Sequence, residues 1–358
     1  MIDNLYPPKI AFIIKEKFLH GAIIDLVNKL ISISAGKLYI EENISNQDIE
    51  LINSNFDAVY TRHSLEPSIQ RKINIIIFSQ HECPLNVLDK LSDKYIYLTD
   101  LSYKPLFPIA EEHIHSPIHL ETLAKYKKYD VVLIGTQRLT YRLKLTPQFI
   151  IANLNINNFN SMLSIMPDSR FLSFLDKLNI LDRTKIYRFY WQVNQAIRNL
   201  RRQRIIGELA NLADHGKKIA VIGNIGYSIK NSRIYFLGEH LEWEDIRKII
   251  RESRIIICTT PMHQSILNER FTTAIEENSI ALCEPYPQYL SLLTNFREKY
   301  CFDYKKGSLF SKVTAIINDW DEELIQYQNV RKEVSQELSD LKIQEKFRRL
   351  IEKYSPCK

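Results

Sequence analysis

Short apolar runs alternate with segments of helical period along most of the chain. The clearest runs are rich in Ile and Val: KIAFII at 9–14, INIIIF at 73–78, DVVLIG at 130–135, KIAVIG at 218–223 and RIIIC at 254–258. Buried parallel strands have this nearly continuous apolar character, whereas helices repeat apolar positions every three or four residues. The pattern therefore predicts an α/β protein with doubly wound parallel sheets.

The first part of the chain forms one Rossmann-like domain in this interpretation, spanning residues 1–127. Its predicted strands are 9–14, 37–40, 56–60, 73–78 and 95–98, and its predicted helices are 21–33, 47–53 and 84–91. A stretch marked by Pro105, Pro108 and Pro117 follows, and KYKKYDVVLIGT then begins a new apolar run. We place the domain boundary there.

The second domain spans residues 128–318 and contains a helical insertion from 139 to 215. Its further predicted elements are strands at 218–223, 234–237, 254–258, 280–283 and 300–304, and helices at 191–212 and 243–251. The helix at 191–212 carries Arg198, Arg201, Arg202 and Arg204. These arginines form either a phosphate-facing patch or a solvated helix face whose stems pack on neighbouring residues.

The C-terminal segment, residues 319–358, is predicted to be helical and highly charged. Apolar side chains recur at helical spacing: Leu324, Tyr327, Val330, Val334, Leu338 and Leu341. This stripe either packs back across a domain boundary or pairs two copies of the chain as a homodimer.

Composition narrows the class of protein. Hydrophobic residues make up 45% and charged residues 25% of the 358 residues, and no uninterrupted apolar run reaches the 18 or so residues of a membrane span. The N-terminus shows no basic leader with a cleavage site, so a cytoplasmic product is expected. The five cysteines are widely spaced and form no zinc or disulfide pattern. A net charge of +6 favours small anions as ligands and gives no support to a nucleic-acid partner.

The segment 251–284 has the pattern of a βαβ unit, and its loop is the main candidate for chemistry. Ligands of open parallel sheets lie beyond the carboxyl ends of the strands. Polar residues there with the chemistry to contact a ligand are Thr259, Thr260, His263, Asn268, Glu269 and Arg270. In the structural alternative, Asn268 only caps a helix and Arg270 pairs with Glu276 or Glu277.

Glycines end two other apolar runs of the second domain. Gly135 and Thr136 follow one run, and Gly223 and Asn224 follow the other. Strand-end glycines allow the backbone to approach a ligand closely. Neither place has the G-x-G-x-x-G spacing, so no nicotinamide or flavin cofactor is predicted.

Two Rossmann-like halves, a proline-marked linker and a charged C-terminal helix together resemble the GT-B glycosyltransferases. The second half, and above all NERFTTAIEENSIALCEPYPQYL, is similar to the bacterial CgeB-like glycosyltransferases. Their pattern would fall on Glu269, Arg270, Asn278, residues 280–283 and Glu284. Asn278 stands where that family has glycine, and asparagine also tolerates a left-handed backbone. The Glu-x7-Glu pair of broader retaining GT-B enzymes does not align.

The resemblance implies GT-B architecture with a cleft between the domains and a C-terminal helix that crosses back. It implies a nucleotide-sugar donor on the second domain, with a diphosphate neutralised by a helix N-terminus and Arg270 and with no metal or other cofactor. The donor-binding residues expected on this basis are Asn268, Glu269, Arg270, Thr259, Thr260, His263, Gly135, Thr136, Gly223, Asn224 and Glu284.

The acceptor is expected on the first domain. An inverting enzyme needs a general base there, and the candidates are His20, His81 with Glu82, and Asp100, whereas a retaining enzyme needs none. The implied function is transfer of a sugar to a glycan, lipid-linked or protein acceptor in bacterial polysaccharide or glycoconjugate synthesis. The alternative is a noncatalytic two-domain protein that only binds nucleotide sugars. A two-lobed solute receptor is disfavoured because no export signal is seen.

Overall fold

The structure is a computed structural model that describes residues 6–79, 95–99, 110–120, 127–135, 183–223, 232–239, 241–259, 267–284, 291–293 and 297–354. The chain divides into two compact units. The N-terminal unit contains Met1–His119 together with Ser335–Lys358, and the C-terminal unit contains Leu120–Val334. In the part of the chain that the structure describes, no helix is both long and apolar enough to cross a membrane.

The N-terminal unit is built on a parallel six-stranded sheet. Its strands are β1 (Ile10–Ile14), β2 (Lys37–Ile40), β3 (Ala58–Thr61), β4 (Ile76–Ser79), β5 (Tyr95–Thr99) and β6 (Ala110–Glu112). They lie in the order β2-β1-β3-β4-β5-β6, so the direction of the chain across the sheet reverses between β1 and β3. Helices α1 (Ala22–Ile33), α2 (Asn46–Asn55) and α3 (Pro67–Gln70) connect the first four strands.

Local chemistry explains where these elements begin and end. Ser45 and Asp48 form a reciprocal capping box that starts α2. Strand β3 begins two residues later than predicted because the N–H of Phe56 still bonds to Ile52 of that helix. Strand β6 and helix α3 were not predicted, since both are short. The predicted helix at 84–91 lies outside the described residues.

The C-terminal unit has a parallel five-stranded sheet. Its strands are β7 (Tyr129–Ile134), β8 (Ile219–Ile222), β9 (Ile234–Phe236), β10 (Ser253–Cys258) and β11 (Ile280–Cys283), in the order β11-β10-β7-β8-β9. The switch in winding direction therefore falls between β7 and β10. The helices are α4 (Arg183–Asp214), α5 (Trp243–Arg251), α6 (Glu269–Glu276), α7 (Arg297–Tyr300), α8 (Ser308–Asn318) and α9 (Trp320–Glu337).

The predicted strand at 300–304 is wrong. Tyr300 ends α7, and Cys301 makes only an isolated bridge to Cys283. The chain then turns at once towards α8, which begins after Gly307 in a left-handed conformation (φ +84°). The apolar stretch therefore does pair with the sheet, but only at Cys301, because the chain then turns towards α8.

The C-terminal helical segment forms two helices that continue into the N-terminal unit. After α9 the chain breaks near Ser339, and α10 (Asp340–Tyr354) belongs to the N-terminal unit. In α10 the side-chain amide of Gln344 donates to the Ile33 carbonyl at 2.7 Å, and Phe347 packs against Tyr60 with ring centroids 6.3 Å apart. The predicted return of the C-terminal helix is thus confirmed. The break resets the helical register, so Leu341 is exposed, against the prediction.

Helix α6 is almost wholly buried, and its C-terminal end is held by side chains from other elements. Arg331 of α9 donates from Nε to the Ile275 carbonyl at 2.7 Å and from Nη2 to the Glu276 carbonyl at 2.9 Å. Lys127 Nζ donates to the Asn278 carbonyl at 2.9 Å. Helix ends leave carbonyls without intrahelical partners, and these cations satisfy them and complement the helix dipole.

Asn278 ends this region in the left-handed conformation, with φ +56°, as predicted for the position where the resembling family has glycine. Its side-chain Oδ1 also accepts a hydrogen bond from Gln328 Nε2 at 3.0 Å. A left-handed backbone is tolerated by asparagine and costs other non-glycine residues more.

We expect Asn278→Ala to destabilise the C-terminal unit by about 1–2 kcal/mol more than Asn278→Gly does. Both variants lose the hydrogen bond to Gln328, so the difference between their free energies of unfolding reports the cost of the left-handed backbone. Urea unfolding of the two variants and the wild type measures it. Equal midpoints for the alanine and glycine variants would contradict this interpretation.

Candidate functional site

The candidate site of the C-terminal unit lies at the carboxyl ends of β7, β10 and β11. β7 and β10 are neighbours at the switch in winding direction, where the connections leave in opposite directions and open a crevice. Gly135 follows β7, Thr259 follows β10 and Glu284 follows β11. Three predicted donor-binding residues therefore meet at one sheet edge.

Helix α6 points its N-terminus to this edge. Asn268 caps the helix, as predicted, because its Oδ1 accepts from the Phe271 N–H at 2.9 Å. Its Nδ2 donates to the Thr259 carbonyl at 3.2 Å, and Arg270 Nη1 donates to the same carbonyl at 3.1 Å. The start of the helix is thus tied directly to the end of β10.

Arg270 makes a long ion pair with its neighbour Glu269 at this edge. Its Nη2 lies 3.4 Å from Glu269 Oε1, a long contact. The alternative partner Glu277 instead binds Arg247 at 2.7 Å and Arg251 at 2.5 Å, beyond the other end of α6. The structural alternative paired Arg270 with Glu276 or Glu277, and Glu277 is bound by these two other arginines instead.

Arg202 of α4 is a second cation at the same edge, and it is 5% exposed. A Cβ added at Gly135 would stand 2.6 Å from Arg202 Nη2, so the glycine makes room for the guanidinium. Burial lowers the pKa of Arg202, the positive charges of Arg198 and Arg270 lower it further, and Glu284 raises it. Three guanidinium groups and one carboxylate thus influence one another here.

The arginines of α4, which the sequence leaves as either a phosphate-facing patch or a solvated face, divide between these two alternatives. Arg198 and Arg202 are four residues apart and share one helix face. Arg201 points elsewhere and lies over the Tyr304 ring at 5.1 Å. The arginines therefore lie on more than one face of α4, as the structural interpretation assumed, and the face with Arg198 and Arg202 is the one at the sheet edge.

Two backbone N–H groups and one hydroxyl group also lie at this edge. The Gly135 N–H donates to the Ile222 carbonyl at 2.9 Å and the Gly223 N–H donates to the Gly238 carbonyl at 2.7 Å, so both extend the sheet ladder. Thr259 is 4% exposed, and within the described part of the chain its Oγ1 has no hydrogen-bond partner. Such buried hydroxyls normally have a partner, which a bound ligand would supply.

In the N-terminal unit, buried polar side chains collect at the carboxyl edge of the sheet. They are Glu41, Thr61, His63, Ser79, His113 and His115. The Ser79 hydroxyl lies 3.1 Å from His113 Nε2, and His63 Nε2 is hydrogen-bonded to the Glu41 carboxylate. Sequence reasoning missed Glu41 and His63, which are 22 residues apart and meet only because β2 and β3 flank β1.

The predicted base His20 lies in the loop after β1 and is exposed. The other predicted residues His81, Glu82, Asp100, Thr136, Asn224, Thr260 and His263 lie outside the described residues. Among those that are described, no group of three or more His, Cys, Asp and Glu side chains has the geometry to hold a metal ion.

The chain has the GT-B glycosyltransferase fold. This fold consists of two parallel α/β units with flanking helices, and here the C-terminal helix α10 belongs to the first unit. Among solved structures the chain is similar to T4 phage BGT in complex with UDP and Mn2+, with a TM-score of 0.52 at 10% identity over 96% of this chain and 99% of that chain. It is also similar to an alpha-glucosyltransferase in complex with UDP and a 13-mer DNA containing an HMU base, with a TM-score of 0.52 at 9% identity over the same shares.

A further structure of an alpha-glucosyltransferase, with UDP-glucose and DNA containing an abasic site, matches with a TM-score of 0.50 at 9% identity over 96% of this chain and 99% of that chain. No protein-family model matches the sequence, and no curated protein matches it. At these identities the similarity establishes the fold.

We expect His115 to make the stability of the N-terminal unit depend on pH. Burial, with a smaller effect from the positive charge of Lys346, lowers the pKa of His115 from 6.5 to about 3. Between these two pH values, His115 is protonated in the unfolded chain but neutral in the folded chain. The contribution of His115 to the free energy of unfolding is therefore fully present above pH 6.5, and it falls as the pH drops towards 3. The slope in this window is up to about 1.4 kcal/mol per pH unit.

Urea unfolding at pH values from 7 to 4 checks this expectation in the wild type and in His115→Asn. The variant should lose much of the slope, while the exposed His119→Asn control should keep it. An unchanged slope in His115→Asn would show that other groups carry the dependence.

Proposed function

We propose that the protein is a glycosyltransferase that binds a nucleoside-diphosphate sugar at the carboxyl edge of its C-terminal unit. It transfers the sugar to a hydroxyl group of an acceptor bound by the N-terminal unit. The observation that carries the proposal is the convergence of Arg202 and Arg270 beside the N-terminus of α6 at the switch in winding direction.

Electrostatics support a diphosphate ligand. Burying the Arg202 guanidinium close to those of Arg198 and Arg270 is electrostatically unfavourable, and a bound anion would offset this cost. A diphosphate adds charge and acceptor oxygens, and arginine binds phosphate with charge-assisted hydrogen bonds. The free N–H groups at the start of α6 favour the same ligand. These groups can neutralise a leaving diphosphate without a metal ion.

The proposed roles follow from position. Arg202 and Arg270 bind the diphosphate, and the Thr259 hydroxyl donates to one of its oxygens. Glu269 and Glu284 accept hydrogen bonds from hydroxyl groups of the ribose or the sugar. Asn268 holds the N-terminus of α6 in place, while Gly135 makes room for Arg202. Thr136, Gly223, Asn224, Thr260 and His263 stay predicted contacts.

For the acceptor we propose a glycan, a lipid-linked glycan or a protein, in bacterial polysaccharide or glycoconjugate synthesis in the cytoplasm. The similarity of NERFTTAIEENSIALCEPYPQYL to CgeB-like enzymes supports this placement. Two structures of the same fold were solved with DNA, so DNA belongs among the acceptors to be assayed.

A thermal-shift panel of UDP, GDP, CMP and dTDP, each with its sugars, tests the donor site. We expect at least one diphosphate to raise the melting temperature, because a ligand bound only by the folded state stabilises it. Arg202→Met and Arg270→Met should each weaken the binding of that nucleotide by about 10- to 100-fold, the value of a charge-assisted hydrogen bond. Arg233→Met, which changes an exposed arginine of the same unit, is the matched control.

A flat response of the wild type across the panel would contradict the proposal. Release of free nucleoside diphosphate from a stabilising donor separates an enzyme from the noncatalytic binding protein. The enzyme releases it and loses this activity in Arg270→Met, whereas the binding protein shows stabilisation alone.

A further inference from the structure

The carboxyl edge of the N-terminal sheet has its own switch in winding direction, between β1 and β3. Lys15 follows β1, Thr61 and His63 come from the end of β3, and Glu41 follows β2 on the other side of β1. Three neighbouring strand ends therefore bring one carboxylate, one imidazole and one ammonium group together. The position is the one where open parallel sheets bind ligands.

Glu41 is the fixed centre of this cluster. It is 4% exposed, its Oε1 accepts from the Glu66 N–H at 2.6 Å and its Oε2 binds His63 Nε2. Lys15 Nζ lies 3.9 Å from Oε2. Burial alone would raise the pKa of Glu41, but the hydrogen bonds from His63 and Glu66 and the positive charge of Lys15 outweigh it and lower the pKa. Glu41 is an anion at neutral pH.

The carboxylate determines which nitrogen of His63 is basic. A hydrogen bond to Glu41 requires a proton on Nε2, so the lone pair of the neutral ring is on Nδ1. Nδ1 lies 3.4 Å from Thr61 Oγ1, and that hydroxyl donates to the His63 carbonyl at 3.1 Å. The Phe18 ring lies 5.4 Å from the imidazole and shields one side of it.

Resting on the proposed function, we propose that His63 is the general base for the acceptor and that Glu41 is its positioning residue. The acceptor O–H gives its proton to Nδ1 as its oxygen forms a bond to the anomeric carbon. The bond from that carbon to the diphosphate oxygen breaks, and its electron pair leaves with the nucleoside diphosphate. Glu41 stabilises the imidazolium, which then returns the proton to water. One displacement of this kind inverts the anomeric configuration.

Other histidines of the unit fit this role less well. His20 is exposed, and no hydrogen bond joins its side chain to a described carboxylate. His113 bonds to Ser79 near β4 and β6, away from the switch in winding direction. Burial lowers the pKa of His115 to about 3, which makes its ring a weak base. Glu41 and His63 combine an anionic partner with the position between β1 and β3.

The test uses His63→Gln, whose side-chain amide can still donate to Glu41 but cannot accept a proton. With the donor that the wild type turns over among the UDP, GDP and dTDP sugars, the rate of nucleoside diphosphate release at saturating donor should fall about 100-fold or more. Binding of the free nucleotide should stay within a factor of two. The pH profile should lose the acidic limb that protonation of the base produces in the wild type.

Glu41→Gln keeps the acceptor oxygen for Glu66 but removes the charge, so kcat should fall at least 10-fold with KM for the donor unchanged. This variant carries the test if His63→Gln does not fold. His119→Asn, a change to an exposed histidine of the same unit, should match the wild type. Proton NMR of the released sugar should show the inverted anomer.

Two results would overturn the assignment: release by both variants within threefold of the wild type, or a sugar with retained configuration. If the wild type releases nucleoside diphosphate from none of the donors, the proposed function itself is overturned, and the assignment of the base with it. The two failures are therefore distinguishable.

Discussion

Burial of α6 is the constraint on which the C-terminal unit depends. A helix inside a protein must find partners for the polar groups at both of its ends. At the carboxyl end, Arg331 and Lys127 donate to its last carbonyls and to Asn278. At the amino end, Asn268 and Arg270 donate to the Thr259 carbonyl. The helix is thus fixed against β10, and the same bonds hold a cation and a row of N–H groups at the sheet edge.

Much of the fold was predictable because its information is local. The longest runs of Ile and Val form buried strands, and β2, β11 and α5 have the predicted bounds. Two of the errors share one cause, because in both places the chain turns for reasons that lie outside the apolar run itself. At 300–304 the turn into α8 ended the strand, and at Leu341 a helix break near Ser339 changed the buried face.

The residues of the candidate sites also divide into those that the local sequence identifies and those that only the fold brings together. Asn268 and Arg270 were found because a cap and the first turn of a helix lie next to each other in sequence. The pair of Glu41 and His63 was missed, since only the order of strands brings the two together, and for the same reason the sequence left open whether Arg202 faces a ligand or solvent. Alternating strands and helices predict a parallel sheet, but they do not say which strands are neighbours. Sites at a switch in winding direction depend on that order.

The return of α10 makes the N-terminal unit discontinuous in sequence, which matters while the protein is being made. Its sheet is synthesised first, but Phe347 and the other apolar residues of α10 emerge only after the whole of residues 120–334. At ordinary rates of synthesis this interval is about ten seconds or longer. During that time part of the sheet's apolar covering is missing. Until α10 has been synthesised, this apolar surface of the nascent chain is therefore open to aggregation.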